Sequence, residues 1–188
     1  MNNKLYKLGL IVGRFQVCHL GHEDMIRRSL AIADKTIILV GSAQEANTAK
    51  NPFSFEMRKE ILEAIFKEEI AAGELIIQAL NDIGVGNNSS WGEYVLNECY
   101  KHLGSYPDIL VSGKESRRVS WFDNLDIKLA ELYIPKTIDT SSTNMKEAMI
   151  NNEYAYWQKY SNPLIWPLYD KMREIVIASQ INTDTKSM

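Results

Sequence analysis

Two hydrophobic rhythms alternate along the chain, and together they predict a layered fold. Leu8 to Val12 is a short apolar run, whereas Met25, Ile26, Leu30 and Ala33 recur at helical spacing. A strand over 5–12 is therefore followed by a helix over 21–34. Thr36-Ile37-Ile38-Leu39-Val40 is again apolar and β-branched and ends at Gly41, which completes a βαβ unit. Unbroken apolar strands, rather than alternating ones, predict burial on both faces and hence a parallel sheet with helices on each side.

The rhythm continues downstream. Ser54 can cap a helix over 55–72, with Glu56 in its first turn, Met57, Ile61, Leu62, Ile65 and Phe66 on its apolar face, and Gly73 at its end. Leu75 to Leu80 reads as a third strand, and Ser89 or Ser90 caps a helix that runs to Leu103, where Gly104 and Pro107 stop it. Ile109-Leu110-Val111 is the fourth strand. Between 121 and 134 the pattern is double: Leu125, Ile127 and Leu129 alternate like a strand, while Leu125, Leu129 and Leu132 can line a helix. A loop followed by a strand near 132–134 is the assignment. The cluster Thr140-Ser141-Ser142-Thr143 caps a short helix over 145–150, and helical pieces over 153–160 and 164–179 follow, the latter behind Pro163. The expected fold is α/β, a Rossmann-like doubly wound parallel sheet of about five strands with a C-terminal helical segment. One domain is expected over 1–179, with a polar, frayed tail over 180–188.

Composition narrows the partners. A length of 188 residues suits one domain with a proper core. A net charge of −3 leaves no global basic field, so neither nucleic acid nor a membrane is expected, and an anionic small substrate must be met by local cations. The two cysteines, Cys18 and Cys99, show no paired spacing, and the first residues form neither a signal peptide nor a membrane span, so a reducing cytoplasmic setting is expected.

Chemistry concentrates where the period switches from strand to helix, in Gly13-Arg14-Phe15-Gln16-Val17-Cys18-His19-Leu20-Gly21-His22. Helix N-termini present unpaired N–H groups and partial positive charge, and the crevice beyond the carboxyl end of a first parallel strand is where open α/β sheets bind ligands. His19 and His22 share a face of the opening turn, and Gly21 lets a ligand or backbone come close. With Arg14 they suit oxygens that carry developing negative charge. No metal ligands are assigned, because the remaining histidine is His102 and no CxxC or HExxH occurs. The plainer alternative is that one or both imidazoles only cap or pack. Two long polar loops at the carboxyl edge, 41–53 and 81–88, are further places for function.

The stretch 13–22 resembles the GRFQPxHxGH signature of the nucleotidylyltransferase superfamily, most closely the archaeal type of nicotinamide-nucleotide adenylyltransferase. The likeness covers nearly the whole chain. Gly41-Ser42-Ala43-Gln44-Glu45, Asn51-Pro52-Phe53 and Arg58 resemble that family's GSAQ…NPF…ER segment, with Met57 where Glu is usual. Asn81-Asp82-Ile83, Asn87 or Asn88, and Trp91 resemble its DI…N…W segment, and Val111-Ser112-Gly113 its SG adenine loop. Ser142-Thr143-Asn144-Met145-Lys146 resembles SSTxxR, with Lys146 in place of Arg, while Val17 replaces the usual Pro and would loosen its loop.

The resemblance implies a Mg²⁺-assisted attack by nicotinamide mononucleotide on the α-phosphorus of ATP, giving NAD and pyrophosphate without a covalent enzyme intermediate. Such a transfer needs cations and N–H donors more than a nucleophile, so Cys18 is discounted. Arg14, His19, His22 and Lys146 are implied to be catalytic. Gly13, Phe15, Gln16, Gly21, Lys50, Val111, Ser112, Gly113, Ser142 and Thr143 join them in ATP binding. Ser42, Ala43, Asp82, Asn87, Asn88 and Trp91 are implied for the mononucleotide, the indole offering a flat face to the pyridine ring. Each has a plainer role: Trp91 as a core residue, Asp82 as a turn cap, Lys50 and Lys146 as solvated lysines. Arg117 and Arg118 either decorate the surface or meet a phosphate. Rival functions are transfer from CTP or to another phosphate acceptor, and a nucleotide-binding regulator with little turnover. Assembly of identical copies stays open.

Overall fold

The computed structural model describes residues 4–86, 88–113 and 121–184, with side chains to 181. Its elements are β1 (Tyr6–Gly13), α1 (Leu20–Ile32), β2 (Ala33–Val40), α2 (Phe55–Ile65), α3 (Lys67–Ala71), β3 (Leu75–Ala79) and α4 (Ser89–Leu103). They are followed by β4 (Ile109–Ser112), β5 (Ala130–Tyr133), α5 (Ser142–Ile150), α6 (Tyr154–Tyr160), a 3₁₀ helix (Pro163–Leu168) and α7 (Tyr169–Asp184). The five strands form one parallel sheet in the order β3-β2-β1-β4-β5. Winding outward in both directions from β1 brings every carboxyl end to one edge and makes a switch point between β1 and β4.

The unbroken apolar strands are explained by what covers them. Along β2, Ile38 and Val40 join a core with Ile11, Ile26, Ile61 and Trp157, whereas Ile37 and Leu39 join a second core with Leu10, Val95, Leu96 and Cys99. Side chains alternate faces along a strand, so both faces are apolar only because both carry helices. The C-terminal segment lies on the first face: α5 packs on α6 and α7, the 3₁₀ helix packs on α2, and Asn162 Nδ2 donates to Glu23 Oε2 on α1 at 2.9 Å.

Several boundaries differ from expectation. β2 begins directly at Ala33, which pairs with Tyr6 and closes α1 by donating to the Ser29 carbonyl, so no connector separates helix from strand. The helix expected over 55–72 breaks at Phe66, whose backbone leaves the helical region (φ −115°, ψ 33°) as its ring becomes fully buried. The helix expected over 164–179 starts as a 3₁₀ turn through Pro167, which has no N–H to continue an α-helix, and becomes α7 from Tyr169. α7 then runs through Asp184, beyond the expected end at 179. Among the described residues no helix is long and apolar enough to cross a membrane.

Candidate functional site

The carboxyl ends of β1 and β4 open into a cavity of about 380 Å³, within the range of small-molecule sites. A shallower depression of about 520 Å³ lies at the opposite sheet edge around Tyr6, Lys7 and Asp108. There the Asp108 carboxylate already accepts the amides of Lys7 and Leu8 at 2.8 Å each. The smaller cavity gathers Arg14, His19 and His22.

Its floor is the turn from β1 to α1. Phe15 takes a left-handed backbone (φ 50°), which a non-glycine residue holds only when its surroundings compel it. Here burial compels it: the ring is 2% exposed and fills the space beside Gly13, where a Cβ would come within 2.9 Å of it. The His22 ring lies 4.9 Å from Phe15 and 3.9 Å from His19, centroid to centroid.

His19 is the N-cap of α1, its Nδ1 accepting the Gly21 amide at 3.1 Å. A Cβ on Gly21 would sit 3.0 Å from His19 Cε1. Gly21 thus makes room for the capping imidazole two residues before it, a more local role than close approach of a ligand. With Nδ1 accepting, the neutral ring carries its proton on Nε2. Burial, helped by the charge of Lys136, lowers the His19 pKa to about 4, so the ring is a neutral donor at physiological pH.

Cations converge from four segments. Arg14 Nη1 donates to Asn51 Oδ1 at 3.4 Å. Lys146 Nζ donates to the Ala49 carbonyl at 2.8 Å, which ties α5 to the 41–53 loop, and its pKa is lowered by burial and then by Arg14. α5 starts at the expected cap cluster: Ser141 Oγ accepts the Asn144 amide at 3.1 Å, and Ser142 Oγ donates to the Val17 carbonyl at 3.2 Å. That bond and complete burial of the Val17 side chain hold the loop where loosening was expected. Cys18 is buried, and its thiol is pushed up to about 12, which leaves no thiolate to attack.

Gly13, Arg14, Phe15, Gln16, His19, Gly21, His22, Lys50, Ser112, Gly113, Ser142, Thr143 and Lys146 all line this cavity. Val111 does not, because its side chain is buried in the core below. Ser42, Ala43, Asp82, Asn88 and Trp91 are also absent from the lining and form a separate neighbourhood at the ends of β2 and β3. There Ser42 Oγ donates to Asp82 Oδ2 at 2.6 Å, and Gln44 exchanges hydrogen bonds with the Asp82 backbone at 3.1 Å each. Asn88 caps α4 through the Trp91 amide at 3.2 Å. Trp91 is 8% exposed, its ring 5.5 Å from Tyr94 and 6.1 Å from Trp121, so the face expected to meet a pyridine ring is packed in the second core. Asn87, Arg117 and Arg118 lie outside the described residues.

Arg58 joins the two neighbourhoods. Its guanidinium, fully buried, donates to the carbonyls of Arg14 (2.9 Å), Gly41 (2.7 Å), Ser42 (3.1 Å) and Ser54 (3.1 Å). Burial lowers its pKa to about 10, which still leaves it charged. The motif named this residue, but its placement under both loops comes from the fold. The motifs do not mark the wall formed by residues 134–138, Thr140 and Ser141, which includes Lys136, nor Asp24 and Met25 on α1. Their one signal was position, since the β5-to-α5 connection must return across the carboxyl edge. Among the described residues that line the cavity, four cations, Arg14, Lys50, Lys136 and Lys146, therefore accompany one carboxylate, Asp24, in a chain that is negative overall. Among the described residues no group of three or more His, Cys, Asp or Glu could hold a metal ion.

A doubly wound parallel sheet with an imidazole-capped helix and clustered cations at its switch point defines a Rossmann-like α/β protein. Residues 10–148 match the family described as cytidylyltransferase-like, and the chain belongs to that family. The nicotinamide-nucleotide adenylyltransferase of Aeropyrum pernix is 32% identical over 159 residues, covering 83% of this chain and 86% of that protein. That of Saccharolobus solfataricus is 41% identical over 88 residues, 46% of this chain and 50% of its own. The bifunctional NMN adenylyltransferase/ADP ribose pyrophosphatase of Francisella tularensis, solved with AMP and a manganese ion, shares the fold. Its TM-score is 0.70 at 24% identity, over 92% of this chain and 52% of that one. The matches span about half the length of the Saccharolobus and Francisella proteins.

Proposed function

We propose that this chain transfers the adenylyl group of ATP to the 5′-phosphate of nicotinamide mononucleotide, forming NAD and pyrophosphate. The observation that carries the reading is the convergence of neutral His19, His22 and four cations on one cavity at the sheet switch point. A phosphate oxygen of the mononucleotide attacks the α-phosphorus as the bond from that phosphorus to the α,β-bridging oxygen breaks, and pyrophosphate leaves. The protein's part is to align the groups and offset charge.

In this reading His19 Nε2–H and His22 meet oxygens of the α-phosphate and the leaving group. Arg14, Lys50 and Lys146 neutralise the pyrophosphate end, and the amides at the start of α5 add donors through Ser142 and Thr143. Ser112 and Gly113 border the adenine side. Ser42, Ala43, Asp82 and Asn88 receive the mononucleotide beyond the 41–53 loop, with Asp82 toward a ribose hydroxyl. Mg²⁺ enters as part of the substrate, MgATP, and shields triphosphate charge. A cytoplasmic setting suits the two free, buried thiols.

The test is direct. Purified protein given MgATP and nicotinamide mononucleotide should release NAD and pyrophosphate in equal amounts, with parallel reactions using CTP and nicotinic acid mononucleotide. Absence of dinucleotide in every combination, from well-folded protein, refutes the reading, and a product from CTP alone replaces the nucleotide.

A further inference from the structure

The connection from β5 to α5 brings into the cavity a lysine to which the function above gives no role of its own. Lys136 lines the wall beyond Ile134, and its charge reaches His19. Its ammonium rests 3.0 Å from Asp139 Oδ1, the lysine side chain 57% exposed and the aspartate 97%. An ion pair this open to water is weak and screened. A triphosphate offers several negative oxygens to the same head group, so it outcompetes one solvated carboxylate.

The strand order decides which substrate that would be. β5 lies beyond β4, on the opposite side of β1 from β2 and β3. Lys136 therefore stands in the cavity on the side of Ser142 and Thr143 at the start of α5, whereas Ser42 and Asp82 pair at the far strands. We propose that Lys136 binds the terminal phosphates of ATP by exchanging its ion pair with Asp139, which serves as a resting counter-ion at the cavity mouth. The inference rests on the reading of this cavity as an ATP site.

The experiment measures initial rates while MgATP and nicotinamide mononucleotide are varied in turn, together with inhibition by pyrophosphate. Lys136→Ala should raise KM for ATP and the inhibition constant of pyrophosphate about tenfold, leaving KM for the mononucleotide within about twofold. Lys136→Arg should recover most of the loss. Asp139→Asn removes the competitor, so KM for ATP should fall about twofold to threefold. Asp139 is almost wholly exposed, so this variant folds and decides the matter even where Lys136→Ala does not. An unchanged KM for ATP in Lys136→Ala, an equal rise for both substrates, or a higher KM for ATP in Asp139→Asn overturns the proposal. A wild-type protein that makes no dinucleotide overturns the ATP reading and this inference with it, a result distinct from active wild type and an indifferent Lys136.

Discussion

His19 Nδ1 accepts the amide of Gly21 at 3.1 Å, and the same glycine, lacking a Cβ, leaves room for that imidazole to cap its own helix. One nitrogen is committed to the cap and the other bears the proton. Capping also fixes the ring relative to the first amides of α1, so donor and helix terminus are aimed as a unit.

The two roles can be separated by substitution. Asn is a strong N-cap, so His19→Asn should keep α1 intact while losing the Nε2 donor, whereas His19→Ala loses both. Both variants should drop kcat by about a hundredfold or more. Only His19→Ala should also lose roughly 1 kcal/mol of stability in a denaturant melt. Normal turnover in His19→Asn would leave the imidazole a cap and nothing else.

Acid should weaken the fold through the same ring. Above pH 6.5 the imidazole is neutral in the folded and the unfolded chain, and stability does not depend on it. Below 6.5 the unfolded chain takes up a proton that the folded protein refuses until about pH 4, so stability falls with pH across that window. The full loss is on the order of 3 kcal/mol. Thermal melts from pH 7 to 4 should therefore show a shallower decline in His19→Gln than in wild type; parallel curves would show that His19 titrates normally.

Arg58 should prove a positioning residue. Arg58→Met leaves the carbonyls of Arg14, Gly41 and Ser42 without their buried donor, and about 3–5 kcal/mol of destabilisation is expected. Arg58→Lys keeps the charge but not the fork. It should stay folded and lose kcat/KM for both substrates, because both loops hang from the one guanidinium. A loss confined to ATP would show that only the Arg14 side depends on it.

Lys146 sits in the second turn of α5, past the region where a cation opposes the helix dipole, and it bonds the Ala49 carbonyl. Lys146→Ala should accordingly lower Tm slightly and cut kcat/KM for ATP roughly tenfold to a thousandfold, about 1.4 to 4 kcal/mol of transition-state stabilisation. Lys146→Arg should hold or raise activity. Full activity in Lys146→Ala with a lowered Tm would reduce this lysine to a strap on the 41–53 loop.

The sequence by itself determined the layers and the place of the site. Leu8 to Val12 and Ile37 to Val40 are apolar at every position, which only a sheet covered on both faces accommodates. Ser54, Gly104 and the 140–143 cluster mark helix ends by local hydrogen bonding that needs no distant partner, whereas the cap of α4 is Asn88, one residue before the expected Ser89 or Ser90. Gly13 to His22 marks the switch from strand to helix for the same reason. Three things only the tertiary structure decided. Trp91 looks equally like a platform and a core residue in sequence, and the arrival of Trp121 from thirty positions away puts it in the core. Lys136 looks like any solvated lysine until β5 pairs beside β4 and turns its exit loop over the cavity. Arg58 looks like one charge on an amphipathic helix, and it becomes buried because the carbonyls of Arg14, Gly41 and Ser42 converge above α2. Local periodicity reports what a residue's near neighbours require, whereas burial, pairing and the sharing of a donor between loops depend on segments that meet only when the chain is wound.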